Sequence, residues 1–226
     1  KIPSGTGLIA NLHTEMEAQA VNISIENVRA AKNKPDNAAT RRENLVRSLA
    51  DSMLNQRLSK LAKAKDAPFL SAEGYSYEYL EFVRINGIGG QCAPEKWQPT
   101  LALIEQELRR ALDHGFTKAE FEEARSNVLR DVKLRADQAS TRQSRNLASG
   151  LVTLHASKKV FTHPSDDLIR TQATLATLTA EECHEAMKAD WDSKDLQIFV
   201  GGNLKLEGDA AAQIIAPAIV KIMIAP

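Results

Sequence analysis

The chain has 226 residues, 43% hydrophobic and 26% charged, which is the composition of an ordinary folded protein and excludes a disordered or collagen-like one. Twenty-nine basic residues balance twenty-nine acidic ones, so no long-range field draws in a polyanion and nucleic acid is not an expected partner. No apolar run near either end has the length and continuity of a membrane span, and Lys1 reads as a cut inside a longer chain.

In chain order, residues 7–12 and 21–28 read as strands. The second alternates Val21, Ile23 and Ile25 with Asn22, Ser24 and Glu26, as a strand with one covered face does. Over residues 40–61, Leu45, Leu49, Met53, Leu54, Leu58 and Leu61 fall three or four apart, which predicts one apolar helical face. Thr40 with Glu43 predicts a capping box at its start. Between Phe69 and Cys92 the period returns to two. Tyr75, Tyr77 and Tyr79 share one side of a predicted strand, and Phe82, Arg84 and Asn86 alternate with Val83 and Ile85 along another. Gly87, Gly89 and Gly90 then predict a bulge or an exit loop; without a tight GxGxxG and a following helix they do not make a phosphate-binding loop.

From residue 95, Trp97, Leu101, Ile104, Leu108 and Leu112 line one helical face until His114 and Gly115 stop it. Thr117 and Glu120 predict a second capping box, with Phe116 stapling onto Phe121, and so short a connection predicts two antiparallel helices. Residues 121–158 stay helix-compatible, but 135–145 are polar all round and predict a break or a solvated stretch. Ser165 or Asp166 is the expected cap of a short helix after Pro164, and Thr179 with Glu182 predicts a third box for a helix ending near Trp191. Leu196, Ile198 and Val200, with Phe199 between, form a short buried strand ended by Gly201 and Gly202. Two strands, a helix, two strands, four or five helices and a strand define an α+β fold, a mostly antiparallel sheet with helices packed on one face.

Chemistry-bearing patterns are missing. The histidines are His13, His114, His155, His163 and His184, and neither His-Glu-x-x-His nor His-x-x-Glu-His occurs; His13-Thr14-Glu15-Met16-Glu17 lacks a second histidine. Cys183 and His184 are adjacent and on a helix point about 100° apart. There is no Gly-x-Ser-x-Gly elbow, Cys92 has no thiol-protease signature, and both cysteines read as buried reduced thiols. No catalytic residue, cofactor-binding residue or metal ligand is therefore expected. Tyr75, Tyr77 and Tyr79 are the residues singled out for peptide or interdomain contact, since aromatic side chains give large contact area at low entropic cost; the strand propensity of tyrosine accounts for them equally.

Several strings carry a resemblance in the expected order: Arg42-Glu43-Asn44-Leu45 through Leu54-Asn55-Gln56-Arg57-Leu58, then Trp97 followed by Glu105-Gln106-Glu107-Leu108. Above all there is His114-Gly115-Phe116-Thr117-Lys118-Ala119-Glu120-Phe121-Glu122-Glu123-Ala124, followed by Leu178-Thr179-Ala180-Glu181-Glu182 and the closing Gly201-Gly202-Asn203. Over roughly residues 5–204 the chain resembles one repeat unit of the insulinase/pitrilysin family of zinc peptidases, which carry the inverted His-x-x-Glu-His motif. The resemblance implies a non-catalytic α+β domain over residues 1–204, with 205–226 a linker or the start of the next unit. It implies part of the peptide-enclosing chamber of a larger zinc metalloendopeptidase, with zinc in a sister domain. Sister domains of the same polypeptide and the peptide substrate would be the partners, and the location periplasmic or otherwise exported. The family's Leu-Gly-Gly stretch and its Arg-Glu-x-x-Gly-Leu-x-Tyr segment are replaced by Met53-Leu54-Asn55-Gln56 and Lys65-Asp66-Ala67-Pro68-Phe69, so no substrate-gripping residue is carried over. The alternative is a stand-alone protein-interaction domain with no proteolytic role.

Overall fold

The computed structural model describes residues 5, 7–32, 34–193 and 195–204; the expected linker over 205–226 lies outside the described residues. Five strands, β1 (Leu8–Thr14), β2 (Val21–Ala30), β3 (Ser71–Tyr79), β4 (Val83–Cys92) and β5 (Leu196–Gly202), form one sheet in the order β1-β5-β2-β4-β3. Only the β1–β5 pair is parallel. Among the described strands the last in sequence thus lies between the first two.

The alternation of β2 sets the layers. Val21, Ile23 and Ile25 point to one side, where Ile88, Ile198 and Val200 join them in the core. The same side takes α1 (Ala38–Ala62) over β3 and α2 (Trp97–His114) over β2 and β4, with α6 (Ala180–Trp191) packed against both helices. Leu49, Met53, Leu54, Leu58, Leu101 and Ile104 are the helical half of this core, each no more than 1% exposed. A second helical layer consists of α3 (Lys118–Asp137) against α1 and α5 (Pro164–Leu175) against α3. Between them α4 (Ser144–Ala156) contributes no buried residue. The polar break falls where expected, as a single 3-10 turn at Ala139–Thr141 between α3 and α4.

Helix α1 reaches the sheet edge because residue 74 is glycine: a Cβ there would sit 2.7 Å from Leu54 Cδ2. The Asn55 amide donates to the Gly74 carbonyl at 2.9 Å and accepts from its N–H at 2.7 Å, covering part of the outer edge of β3.

At the opposite end of α1, Asp190 sits beneath the sheet with its side chain only 8% exposed. Its carboxylate accepts from Arg29 at 2.5 Å and from Arg47 and Arg84 at 3.1 Å, and its backbone carbonyl accepts from the buried amides of Asn27 and Asn86. One residue therefore ties the end of α6 to β2, β4 and α1.

Local signals were read correctly at two helix starts and wrongly at two. The capping boxes Thr117–Glu120 and Thr179–Glu182 both form. The expected Thr40–Glu43 box does not: α1 begins earlier, and Asn37 Oδ1 accepts from the Thr40 N–H at 2.9 Å. Asparagine is the better cap, and the two alanines after it extend the helix without cost. Glu43 pairs instead with Lys34 and Arg47. Asn37→Ala is expected to cost about 1 kcal/mol and Thr40→Ala close to nothing, read from urea denaturation midpoints. Helix α5 is capped by His163, whose Nδ1 accepts from the Ser165 N–H, and not by Ser165 or Asp166. Proline has no N–H to lose and favours the first helical position, so the cap moves one residue back.

Two other expectations are corrected. Gly87, Gly89 and Gly90 form neither bulge nor exit loop, since β4 pairs one-to-one with β2 from Val83 to Cys92. The expected antiparallel α2–α3 pair does not form either, because Gly115, at φ 65°, turns the chain so that α3 lies on α1 and α5. Phe116 at this turn carries the Arg57 guanidinium 4.9 Å above its ring.

Candidate functional site

The sheet face turned away from the helices carries the three tyrosines and an open cleft. Strand pairing arranges its side chains in rows across the strands. Asn11, Phe199, Ser24, Gly89 and Glu73 form one row, and Ile9, Gln197, Glu26, Gly87 and Tyr75 the next. Tyr77 and Tyr79 continue along β3 on the same face, opposite Ile85 and Val83.

Glycine shapes this face. A Cβ at residue 87 would lie 2.3 Å from the Tyr75 ring, and one at residue 201 would lie 2.5 Å from the Phe199 ring. Each aromatic ring thus lies flat on a bare stretch of backbone. Between the two rings runs a cleft of about 400 Å³, floored at Gly89 and lined by Asn22, Ser24, Ser71, Glu73 and Gln91. The Tyr75 hydroxyl donates to Glu26 Oε1 at 2.5 Å. Burial first, and then the Glu26 carboxylate, push the phenol above its ordinary pKa, so Tyr75 remains a protonated donor. Its ring is tilted 33° to that of Tyr77, with 6.0 Å between centroids. Tyr77 and Tyr79 are 45% and 56% exposed.

The structure therefore brings the three tyrosines together on one face and adds Phe199 and Glu73, which the sequence reading passed over. The last strand, expected to be buried, is buried on one face only: Phe199 is out of phase with Leu196, Ile198 and Val200, so it points away from the core and is 40% exposed.

A second cleft, about 350 Å³, opens between α1, α3 and α5 over Leu45, Val128 and Val132. Its arginines are engaged: Arg41 with Asp36 and Asp167, Arg42 with Glu182, and Arg170 with Asp167.

No grouping of three or more His, Cys, Asp or Glu suited to a metal ion occurs among the described residues. His13, His114, His155 and His163 are exposed on separate elements, and His184 Nε2 lies 2.8 Å from the Leu112 carbonyl. These donors do not fit a zinc site. Cys92 and Cys183 are free and buried; burial raises both thiols, Cys183 to about 12, so neither presents a thiolate.

Residues 37–128, from the cap of α1 into α3, match the family model described as the peptidase M16 inactive domain. No curated protein matches the sequence. Among solved structures, the fold is similar to the periplasmic protease PqqL from Escherichia coli, with a TM-score of 0.85 and 16% identity over 100% of this chain and 25% of that one. It is also similar to an insulinase family protease from Yersinia pestis, with a TM-score of 0.78 and 15% identity over 95% and 46% of the two chains. A peptidase M16 inactive domain from Pseudomonas fluorescens gives a TM-score of 0.65 and 15% identity over 89% and 45%. The chain thus spans about a quarter to a half of the proteins it resembles. The family model thus matches part of the chain, and the solved structures, at 15–16% identity, share its fold.

Proposed function

We propose that this domain forms one wall of a peptide-enclosing chamber in a larger zinc metallopeptidase, with its open sheet face toward the chamber and the zinc held by a sister domain. The observation that carries the reading is the uncovered face itself. Helices cover one side of the sheet, while the other presents a cleft edged by Tyr75 and Phe199, with Tyr77 and Tyr79 alongside. Exposed aromatic groups flanking a groove mark a contact surface. The tyrosines would touch the peptide or a neighbouring domain, and 205–226 would connect to the next unit. Similarity to a periplasmic protease favours an exported location. No helix among the described residues is long and apolar enough to cross a membrane.

The test has two parts. The purified chain is expected to bind no stoichiometric zinc and to show no chelator-sensitive peptide hydrolysis. A photo-crosslinking residue in place of Tyr77, in the full-length protein carrying this chain, is expected to capture substrate peptide. Zinc-dependent cleavage by the chain alone, or crosslinking confined to solvent, would sink the reading. A His-x-x-Glu-His motif one or two domain lengths upstream of Lys1 in the parent reading frame would support it.

A further inference from the structure

We infer that the open-face cleft is a subsite for a basic side chain, lysine or arginine, of an extended peptide, with Glu73 as its counter-ion. This inference rests on the peptide-facing reading of the same surface. The outward positions of the five strands hold two carboxylates, Glu26 and Glu73, and neither lysine nor arginine. The arginines of the neighbouring strands, Arg29 and Arg84, point to the helix side and meet Asp190. The two carboxylates are not equivalent. Glu26 already accepts the Tyr75 hydroxyl, whereas exposed Glu73 makes no hydrogen bond or ion pair with any described residue.

Geometry sets what fits. Glu73 and Phe199 stand in one row, separated by Gly89 and Ser24 on the two strands between them. Three strand spacings make that interval about 14 Å, enough for an extended chain to run along the strands. Gly89 carries no side chain, and a Cβ there would lie 3.0 Å from the Ile23 carbonyl, so the floor is bare backbone. A long aliphatic stem can lie on this floor beside the faces of Tyr75 and Phe199 while its cationic head reaches Glu73. An acidic side chain there would meet like charge at Glu73, and a neutral one would offer it no charge attraction.

The inference is tested with two labelled peptides, identical and uncharged except for one central residue, arginine in one and its neutral isostere citrulline in the other. Binding to the chain is followed by fluorescence anisotropy at low and high salt. The arginine peptide is expected to bind at least about fivefold more tightly at low salt, and the ratio to shrink at high salt. In Glu73→Gln the ratio should fall to near one; in Phe199→Ala both peptides should weaken. Glu73 has no described partner, so an unchanged circular-dichroism melt is expected for Glu73→Gln. Saturable binding with a ratio of one in the unaltered chain, or a ratio that survives Glu73→Gln, overturns the basic subsite and leaves the peptide-facing wall standing. No saturable binding of either peptide overturns both.

Discussion

Asp190→Asn is expected to destabilise the chain by roughly 3–5 kcal/mol, the cost of removing one partner from a buried charge cluster. For a domain of this size that lowers the melting temperature by roughly 10 °C. The amide keeps the shape of the carboxylate, and the backbone carbonyl still accepts from Asn27 and Asn86, so the change isolates the charge. What remains is three guanidiniums, from Arg29, Arg47 and Arg84, converging on a neutral group, with Arg84 only 12% exposed. Adding Arg84→Met should recover part of the loss by removing the most deeply buried of the three guanidiniums. A loss below about 1 kcal/mol in urea denaturation would place Asp190 among ordinary surface pairs and refute its role as the common anchor.

Arg57→Ala is expected to cost about 3 kcal/mol. Arg57 donates twice to Glu120, at 2.5 and 2.9 Å, and once to the Gly115 carbonyl, and it lies over Phe116. The pair is held between α1 and the turn into α3, with each side chain about 15% exposed or less. Glu120 also completes the Thr117 capping box, so one carboxylate serves the helix start and the interhelical tie together. Hydrogen bonds from Arg57, against the opposing effect of burial, hold its pKa down to about 2. A depressed folded-state pKa stabilises above the unfolded value and loses that contribution as pH falls through the folded one. The stability gap between the parent chain and Arg57→Ala should therefore be constant near neutrality and shrink between about pH 4.5 and pH 2. Arg57→Lys should restore little, because an ammonium cannot form the two-pronged contact.

Much of this fold was legible in the residues because its signals are local. Hydrophobic period placed the strands and the helices α1 and α2, while proline and capping signals placed α5 and α6, and two capping boxes marked helix starts within a residue. The failures come from choices that neighbours decide. Whether Asn37 or Thr40 caps α1, and whether Gly115 sends α3 along α2 or away from it, depends on surfaces outside the local window. The glycines of β4 were misread for the same reason: their purpose is room for the Tyr75 ring on one side and Thr100 on the other, which only strand register reveals. The tyrosine face was visible from alternation alone. Its partner Phe199 lies more than a hundred residues away, and the cleft between them exists only once β5 enters the sheet.

That placement of β5 also constrains how the chain comes into being. Among the described strands β1 pairs with β5 alone, so the first strand of this domain waits for β5 before it can join the sheet. Contacts so far apart in sequence form late and slowly. Until residues 196–202 arrive, β2 offers an open edge, and a chain interrupted before that point would expose the pairing surface from which aggregation begins.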